Sequence, residues 1–234
     1  MRLSIVIPTL NESLHIAQLI SYLRTCGKGD IAEIIVADGG SRDGTCLLAR
    51  QAGAHAFVCA QPGRAAQMNA GARLATGDIL YFVHADTRPP ASFVADIHGA
   101  WAQGYRLGCY RFAFDSDRLL LKLNAYFTRF DQLCFRGGDQ SLFVCRQLFE
   151  ALNGYDESYC IMEEYDFLRR ARQQAKFVIM PKEVLVSARK YDCNSYLRVN
   201  FANFVVFTMF RLGFSPPKLR QTYYRLLRHP KSVS

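Results

Sequence analysis

Four short apolar runs alternate with helical segments over the first 90 residues, and this alternation restricts the fold more than any other feature. Isoleucine, valine and other apolar residues fill the runs, whereas the segments between them place apolar residues at helical spacing. The predicted strands cover residues 2–8, 31–40, 54–60 and 78–86, and the predicted helices cover residues 11–24, 43–53 and 63–77. Strands that alternate with helices across short turns predict a parallel sheet with helices on both faces, which is an α/β fold.

The second half of the chain has a less regular pattern. The pattern predicts a strand over residues 107–114, a long helix over 117–135, a strand leading into a helix over 141–154, and a further helix over 163–174. The apolar clusters at residues 119–121 and 127–130 are expected in the core of the protein. Because neither a repeat nor a low-complexity linker divides the chain, we predict one domain over residues 1–193 and a helical C-terminal extension over residues 194–234.

The composition describes a folded chain with an uneven charge. Half of the 234 residues are hydrophobic, which excludes a disordered protein. Of the net charge of +9, most belongs to residues 182–234, which contain 10 basic and 2 acidic side chains. The eight cysteines form neither a Cys-x-x-Cys pair nor a metal-ligand spacing with histidine, so we expect reduced thiols and a cytoplasmic protein. No signal-peptide pattern is found at the N-terminus.

Polar side chains follow each of the predicted strands. Thr9 and Glu12 come after the first strand, Asp38 ends the second, Arg64 follows the third, and Asp86 ends the fourth. Because the carboxyl ends of parallel strands meet at one edge, where open α/β sheets bind ligands, these residues are expected to lie together. Each one alone is ordinary turn chemistry, and Asp86 alone is more often a helix cap or part of an Asx turn. Together they indicate a pocket for a nucleoside diphosphate.

The order of six motifs resembles a known family. The motifs VIPTLNE, ADGGSRDGT, GRAAQMNAGA, HADT, GGDQ and MEEYDF are similar to those of the family 2 inverting glycosyltransferases, especially a small bacterial branch with His-Ala-Asp. The resemblance covers about residues 3–175. It implies the Rossmann-like GT-A fold, with a mainly parallel sheet flanked by helices, and a nucleotide-diphosphate sugar as the donor.

The resemblance also implies which side chains bind the donor. The residues of the nucleotide site would be Pro8, Thr9, Glu12, Asp38, Arg64 and Asn69. Asp38 would accept a hydrogen bond from the base, which favours uracil, while Arg64 and Asn69 would hold the phosphates. His84-Ala85-Asp86 stands where the family has Asp-x-Asp, so Asp86 would be the protein carboxylate on a divalent cation, Mn²⁺ or Mg²⁺.

The same resemblance places the general base in Glu163-Glu164-Tyr165-Asp166, and Glu164 is the residue predicted for that role. Neighbouring acids diverge by about 100° on a helix, so at most one of them can face a given hydroxyl. The alternative is that the three acids only stabilise the N-terminus of a helix. Asp139 and Gln140 resemble a loop that faces the sugar and the acceptor, and a simple turn is the alternative for them.

The predicted activity is the transfer of a single sugar, with inversion, to an acceptor hydroxyl of unknown identity. A lipid-linked acceptor is one of the alternatives. The Gln-x-x-Arg-Trp signature of processive synthases is absent. Two other classes stay open. One is a nucleotidyltransferase, although that class usually has a Gly-rich loop and a basic residue after the first strand. The other is a non-catalytic nucleotide-sugar-binding protein, in which a base would be unnecessary.

Aromatic and basic residues are interleaved in the C-terminal extension. Phe201, Phe204, Phe207 and Phe210 recur every three residues within a longer basic segment. Such a segment can lie on the inner face of a membrane with its cations on anionic lipid, and we predict this peripheral association. The alternative is a helix packed on the domain or on a second subunit of a homodimer. No motif supports binding to nucleic acid.

Overall fold

An eight-stranded sheet forms the centre of the computed structural model, which describes residues 1–227. In chain order the strands are β1 (Leu3–Thr9), β2 (Ile31–Asp38), β3 (His55–Val58), β4 (Ile79–Phe82), β5 (Thr87–Arg88), β6 (Leu107–Phe114), β7 (Leu142–Cys145) and β8 (Phe177–Val186). Across the sheet they lie in the order β3-β2-β1-β4-β7-β6-β8-β5. The helices are α1 (Ile16–Gly27), α2 (Thr45–Gln51), α3 (Arg64–Leu74), α4 (Phe93–Ala102), α5 (Leu119–Phe127), α6 (Arg146–Ala151), α7 (Glu163–Ala171), α8 (Lys190–Cys193), α9 (Tyr196–Arg211) and α10 (Pro216–Leu226).

The half of the sheet built by the first 82 residues is parallel, as the alternation of strands and helices predicts. In this register Val6 of β1 pairs with Ile35 of β2 on one side and with Phe82 of β4 on the other. All three side chains are buried, because helices cover both faces of the sheet. The four strands therefore end at one edge, which brings the predicted polar residues together.

Two layers of helices complete the core. On one face Ile20 of α1 and Ile97 of α4 pack against the sheet, and on the other face Met68 of α3 and Phe167 of α7 do so. Gly71 permits the close approach of α3, because a Cβ atom there would overlap the side chain of Val6. This close packing fixes the N-terminus of α3, and with it Arg64, at the edge of the sheet.

The other half of the sheet is mixed. Strand β7 runs antiparallel to both β4 and β6, whereas β8 is parallel to β6 and antiparallel to the short β5. The sequence did not predict β5 or β8, and in β8 the register is interrupted near Pro181 and Lys182. Strand β8 matters for the site because its end returns to the edge of the sheet, where the N–H of Ser187 donates to the carbonyl oxygen of Asp86 at 3.2 Å.

The prediction of a helix over residues 117–135 is wrong in its length, since α5 ends at Phe127. The hydroxyl of Thr128 donates to the carbonyl oxygen of Ala125 at 2.7 Å, and the buried guanidinium of Arg136 donates to the carbonyl oxygens of Thr128 and Phe130. These side chains satisfy carbonyl groups that a continuing helix would pair with its own N–H groups.

The prediction that the apolar clusters around α5 belong to the core is also largely wrong. Leu121 is buried, but Leu119 is 80% exposed, and Leu120, Phe127 and Phe130 are exposed as well. Side-chain periodicity identifies an amphipathic helix, but it does not identify which face is covered.

The C-terminal extension is helical over its described part, as predicted, and its two helices α9 and α10 pack on each other. The ring of Phe210 lies 6.0 Å from that of Tyr159 and 6.3 Å from that of Tyr165, so α9 also packs on the region around α7. This is the packing described by the alternative to membrane binding. Residues 228–234 of the predicted extension lie outside the described residues. Among residues 1–227, none of the helices combines the length and the apolar character needed to cross a bilayer.

Candidate functional site

Asp38 organises the loop that follows β2. Its Oδ1 accepts hydrogen bonds from the hydroxyls of Thr9 at 2.8 Å and Ser41 at 2.6 Å. Its Oδ2 accepts from the backbone N–H groups of Gly40 at 3.1 Å and Ser41 at 2.8 Å. Asp38 is fully buried, and these four donors use its lone pairs. Its shaping of the loop is therefore observed, whereas its predicted contact with a base stays a prediction.

The loop after β1 lies beside this turn. Pro8 is partly buried and pairs in register with Ala37 of β2. The N–H of Glu12 donates to the hydroxyl of Thr45 at 2.9 Å, which joins the loop before α1 to the first residue of α2. Glu12 itself is only 5% exposed, and its carboxylate faces the guanidinium of Arg189. The structure thus places all the predicted residues of these two loops at one edge of the sheet.

Asp86 forms an ion pair at the same edge. Its Oδ2 lies 2.8 Å from Nη2 of Arg189, and Nη1 of Arg189 lies 3.4 Å from Oε2 of Glu12. Burial lowers the pKa of Arg189, but the two carboxylates raise it by more than burial lowers it, so the net shift is upward. One guanidinium therefore bridges two acids that come from the ends of different strands.

The position of Asp86 fits one ligand of a hard divalent cation. Its side chain is 31% exposed and borders two cavities of about 280 and 230 Å³. Among residues 1–227 no group of three His, Cys, Asp or Glu side chains could enclose an ion. An ion at Asp86 would therefore take most of its ligands from a bound diphosphate and from water, which is common for Mg²⁺.

A second cluster lies next to Asp86. Arg64 begins α3, His84 follows β4, and Glu163 and Glu164 begin α7. Nη1 of Arg64 lies 3.4 Å from Oε1 of Glu163 and 4.0 Å from Oε1 of Glu164, while Nε2 of His84 lies 3.5 Å from the same oxygen of Glu164. The side chains of the two glutamates are 0% and 8% exposed, whereas that of Arg64 is 45% exposed and can also reach a ligand.

The two neighbouring glutamates have different electrostatic environments. Burial and the charge of Glu164 raise the pKa of Glu163 to about 7. Burial also acts to raise the pKa of Glu164, but the contact with His84 and the charge of Arg64 lower it, so its net shift is downward. For His84, burial lowers the pKa and the contact with Glu164 raises it, with a net upward shift. At neutral pH Glu164 is therefore ionised, while Glu163 is partly protonated.

The remaining acid of the motif has a structural function. Asp166 is buried, and its carboxylate pairs with Nη2 of Arg169 at 3.0 Å and with Nε of Arg170 at 2.8 Å. The guanidinium of Arg170 also donates to the carbonyl oxygen of Leu152 at 2.7 Å. Asp166 thus joins α7 to the turn after α6, and its carboxylate is already engaged away from Glu164.

Asn69 is engaged in a similar way. Its Nδ2 donates to the carbonyl oxygen of Tyr155 and to Oε1 of Glu157, both at 2.9 Å, and its Oδ1 accepts from the N–H of Tyr155 at 2.9 Å. A primary amide has two N–H donors, and both are used here. This geometry argues against the predicted phosphate contact, and it shows that Asn69 ties α3 to the loop before α7.

The cavity of about 230 Å³ lies beside Asp86, with Arg189 on its wall. Asp139 lines it and is exposed, as predicted for a residue that faces ligand. Gln140 is 1% exposed instead, and its Nε2 donates to the carbonyl oxygen of Phe135 at 2.9 Å. Five aromatic side chains also line the cavity: Phe112, Phe114, Phe135, Tyr165 and Tyr191. Such a lining suits a sugar ring or another amphipathic group.

Arg189 and Lys190 are the site residues that the sequence did not single out. Lys190 also lines the cavity, and its ammonium contacts the hydroxyl of Tyr223 on α10. The available signal was an Arg-Lys pair at the start of the basic segment, 103 residues from Asp86. Its position at the site depends on β8, which the sequence did not predict.

Comparisons with known proteins agree with this architecture. The model of the family described as Glycosyl transferase family 2 matches residues 4–146. The PGL/p-HBAD biosynthesis glycosyltransferase of Mycobacterium tuberculosis (strain ATCC 25177 / H37Ra) is 28% identical over 210 residues, which cover 79% of this chain and 75% of that protein.

Two solved structures have the same fold. Glucosyl-3-phosphoglycerate synthase from Mycobacterium tuberculosis, in complex with Mn²⁺, UDP and glucosyl-3-phosphoglycerate, has a TM-score of 0.61 and 21% identity, covering 91% of this chain and 80% of that chain. The mannosyltransferase PcManGT from Pyrobaculum calidifontis, in complex with GDP-Man and Mn²⁺, has a TM-score of 0.66 and 19% identity, covering 95% and 68%. The predicted GT-A fold is therefore confirmed.

Proposed function

The chain belongs to glycosyl transferase family 2, and from this membership we propose that it transfers one sugar from a UDP-sugar to an acceptor hydroxyl with inversion at the anomeric carbon. The observation that carries the proposal is the pairing of buried Glu164 with His84, beside Arg64 and at the edge of the sheet that holds Asp86. This geometry joins a candidate base to a candidate diphosphate site.

The donor is proposed to lie across the carboxyl ends of β1, β2 and β4. Thr9, Glu12 and Asp38 form the loops on which the nucleoside would lie, and the half-exposed Arg64 would contact the diphosphate. The choice of UDP over other nucleotides is supported by the uridine diphosphate in the similar synthase structure, whereas the similar mannosyltransferase binds GDP-Man. Guanidinium groups suit diphosphates because they donate two parallel hydrogen bonds.

Asp86 is proposed to hold a divalent cation, and both similar structures contain Mn²⁺. Such an ion would supply charge neutralisation to the diphosphate as it departs. The protein would contribute the carboxylate of Asp86, which is paired with the guanidinium of Arg189 in this structure. We infer that the guanidinium of Arg189 moves from Asp86 towards the diphosphate when the donor binds. Next to the phosphates it would be attracted, whereas beside the metal ion it would be repelled.

Glu164 is proposed as the general base. Its lowered pKa keeps it ionised at neutral pH, so that it can accept the proton of the acceptor hydroxyl. His84 and Arg64 fix the orientation of the carboxylate from two sides. The hydroxyl would then attack the anomeric carbon on the face opposite the leaving group. This single displacement requires no covalent intermediate, and it inverts the configuration.

The acceptor is proposed to enter the aromatic cavity beside Asp86, with Asp139 as a contact. We propose a lipid-linked acceptor, because the aromatic lining of this cavity suits an amphipathic group. We propose in addition that the extension from residue 194 onwards binds anionic membranes. Its described part, residues 194–227, contains five basic side chains and none that is acidic.

The substitution Glu164→Gln tests the assignment of the base. Removal of a general base typically costs 10²–10⁴-fold, so we expect hydrolysis and transfer of UDP-sugar to fall by about 10³-fold while UDP binding is retained. Glu150→Gln is the matched control, because Glu150 is exposed and pairs with Arg146 in its own helix. Unchanged turnover in Glu164→Gln would mean that another residue is the general base. If the wild type binds UDP-sugar but never turns it over, the protein is a sensor.

The membrane proposal is tested by sedimentation with anionic vesicles at low and high salt. We expect Arg220→Gln with Arg225→Gln to weaken binding at low salt, since each basic residue near anionic lipid contributes about 1 kcal/mol. Binding that is independent of both salt and these substitutions would contradict the proposed role of the extension.

A further inference from the structure

The outer surface of α5 is apolar. Leu119, Leu120, Leu123, Tyr126 and Phe127 are 80%, 51%, 49%, 46% and 38% exposed. At about 100° per residue, these five positions lie on one face of the helix. Leu121 lies on the opposite face and is 1% exposed. The helix is therefore amphipathic, but it turns its larger apolar face away from the core.

The same helix forms a wall of the acceptor cavity. Asn124 and Thr128 line the cavity from α5, and Asn203 lines it from α9. Helix α9 also has an apolar outer face, on which Leu197, Phe201 and Phe204 are 77%, 59% and 68% exposed. Two helices with exposed apolar faces thus stand on either side of the cavity that we assign to the acceptor.

The charges around these faces favour an anionic lipid surface as the partner. Helices α9 and α10 carry Arg198, Arg211, Lys218, Arg220 and Arg225, without an acidic residue between positions 194 and 227. On α5, Lys122 pairs with the exposed Asp117 at 2.8 Å, so the excess of positive charge comes from α9 and α10. The guanidinium of Arg129, just after α5, stacks 3.6 Å from the ring centroid of Tyr126. Leucine, aromatic and basic residues together are typical of helices in a membrane interface. A symmetric dimer through the same surface would bring the basic helices α9 and α10 of two copies together, and their like charges would repel each other.

We propose that the outer faces of α5 and α9 insert into the headgroup region of an anionic membrane and hold the mouth of the cavity at that depth. The acceptor is then an amphiphile, with its hydroxyl-bearing head in the aromatic cavity and its apolar part beside α5. The membrane contact stands on the exposed faces and on the charges around them, whereas the identity of the acceptor rests on the proposed function.

The double substitution Leu119→Gln with Leu123→Gln tests this surface by sedimentation with vesicles of phosphatidylcholine and phosphatidylglycerol. We expect the double variant to bind these vesicles with an affinity about tenfold lower than that of the wild type. The loss should be the same at about 0.1 and about 0.5 M NaCl, because apolar contact is not screened by salt. The matched control is Leu47→Gln with Leu74→Gln, two leucines that are 59% and 45% exposed elsewhere. The control should bind as the wild type does.

A second measurement reports on insertion directly. Leu123→Trp should show a blue shift of its fluorescence with these vesicles and quenching by brominated lipid, and Leu74→Trp should show neither; Trp101, the single native tryptophan, is replaced by Phe in both. Unchanged vesicle binding in the double variant and no shift in Leu123→Trp would overturn the proposal. A dimer that the double substitution dissociates would also overturn it, since the face would then bind a second copy.

The outcome can be separated from that of the proposed function. Hydrolysis of UDP-sugar without vesicles should be equal in the wild type and in the double variant, because neither leucine lines the cavity. Failure of both proteins to hydrolyse UDP-sugar contradicts the proposed function and leaves vesicle binding as a separate measurement. Normal hydrolysis with unchanged vesicle binding contradicts only the membrane surface.

Discussion

Glu163 and Glu164 are adjacent in the chain, yet their surroundings shift their pKa values in opposite directions. Because side chains diverge by about 100° at successive helical positions, Glu164 meets His84 while Glu163 meets Arg64. Both oxygens of Glu163 are buried without a hydrogen-bond donor. The sequence predicted that only one of the pair could face an acceptor hydroxyl. It could not predict the partners, which come from strands and helices that are distant in the chain.

Glu163 should make the stability of the protein depend on pH. Its pKa is about 7 in the folded protein and 4.5 ordinarily, so the folded state binds the extra proton between these values. Stability from this group is therefore largest below about pH 4.5 and falls as the pH rises towards 7. We expect Glu163→Gln to lose that decline in a series of melting temperatures from pH 5 to 8. A slope equal to that of the wild type, or of Glu150→Gln, would contradict this assignment.

Arg189 should compete with a divalent cation for Asp86. Its guanidinium lies 2.8 Å from Oδ2 of Asp86, and its positive charge would repel a cation held by that carboxylate. We expect Arg189→Gln to raise the affinity for Mn²⁺ without nucleotide by about fivefold, which corresponds to the about 1 kcal/mol of a partly exposed ion pair. Titration followed by electron paramagnetic resonance measures this affinity. Arg73→Gln, which removes an exposed guanidinium beside Glu157, should leave it unchanged.

At the scale of elements, the sequence predicted best where a local pattern and the fold agree. The strands and helices up to residue 86 follow their periodicity, because β1 and β4 are buried on both faces and the helices cover the sheet. The end of α5 was missed because it depends on Arg136, whose guanidinium returns to the carbonyls of Thr128 and Phe130 from outside the helix. A contact of this kind leaves no periodic signal.

Gly71 on α3 and Gly99 on α4 should respond to alanine in opposite ways. Alanine stabilises a helix interior by about 1 kcal/mol relative to glycine, and nothing lies within 4 Å of a Cβ atom at Gly99. At Gly71 the Cβ atom would overlap Val6 in β1, and overpacking costs about 1–3 kcal/mol. We expect urea unfolding to show a gain for Gly99→Ala and a net loss of up to about 2 kcal/mol for Gly71→Ala. Equal shifts would mean that α3 is not packed this closely.

For the whole molecule, the described C-terminal helices belong to the packed structure even though the family match ends at residue 146. The sequence predicted the helical character of the extension, but it favoured the membrane over packing on the domain. Both are compatible in the structure, because α9 has a buried face and an exposed one. The division at residue 193 stays a prediction, since Phe210 and Leu219 share a cluster with Tyr159 before α7 and Tyr165 in α7.

Alanine substitutions of two phenylalanines should distinguish the buried face of α9 from its exposed face. Phe210 is 7% exposed, and Phe→Ala in a core typically costs 3–5 kcal/mol, so we expect Phe210→Ala to lose about 3 kcal/mol of unfolding free energy. Phe201 is 59% exposed, and Phe201→Ala should stay within about 0.5 kcal/mol of the wild type. Urea titration measures both. Similar losses for the two variants would mean that α9 does not lie on α7 as described.

The bridge from Arg189 to Glu12 spans 177 positions of the chain, and this distance affects how the protein is made. During synthesis the parallel half of the sheet leaves the ribosome first, with both acids in place but without their cation. Pairing between such remote segments is entropically costly and forms late in folding. A nascent chain can therefore assemble its scaffold early, while the completed pocket must wait for the arrival of β8 and the turn that follows it.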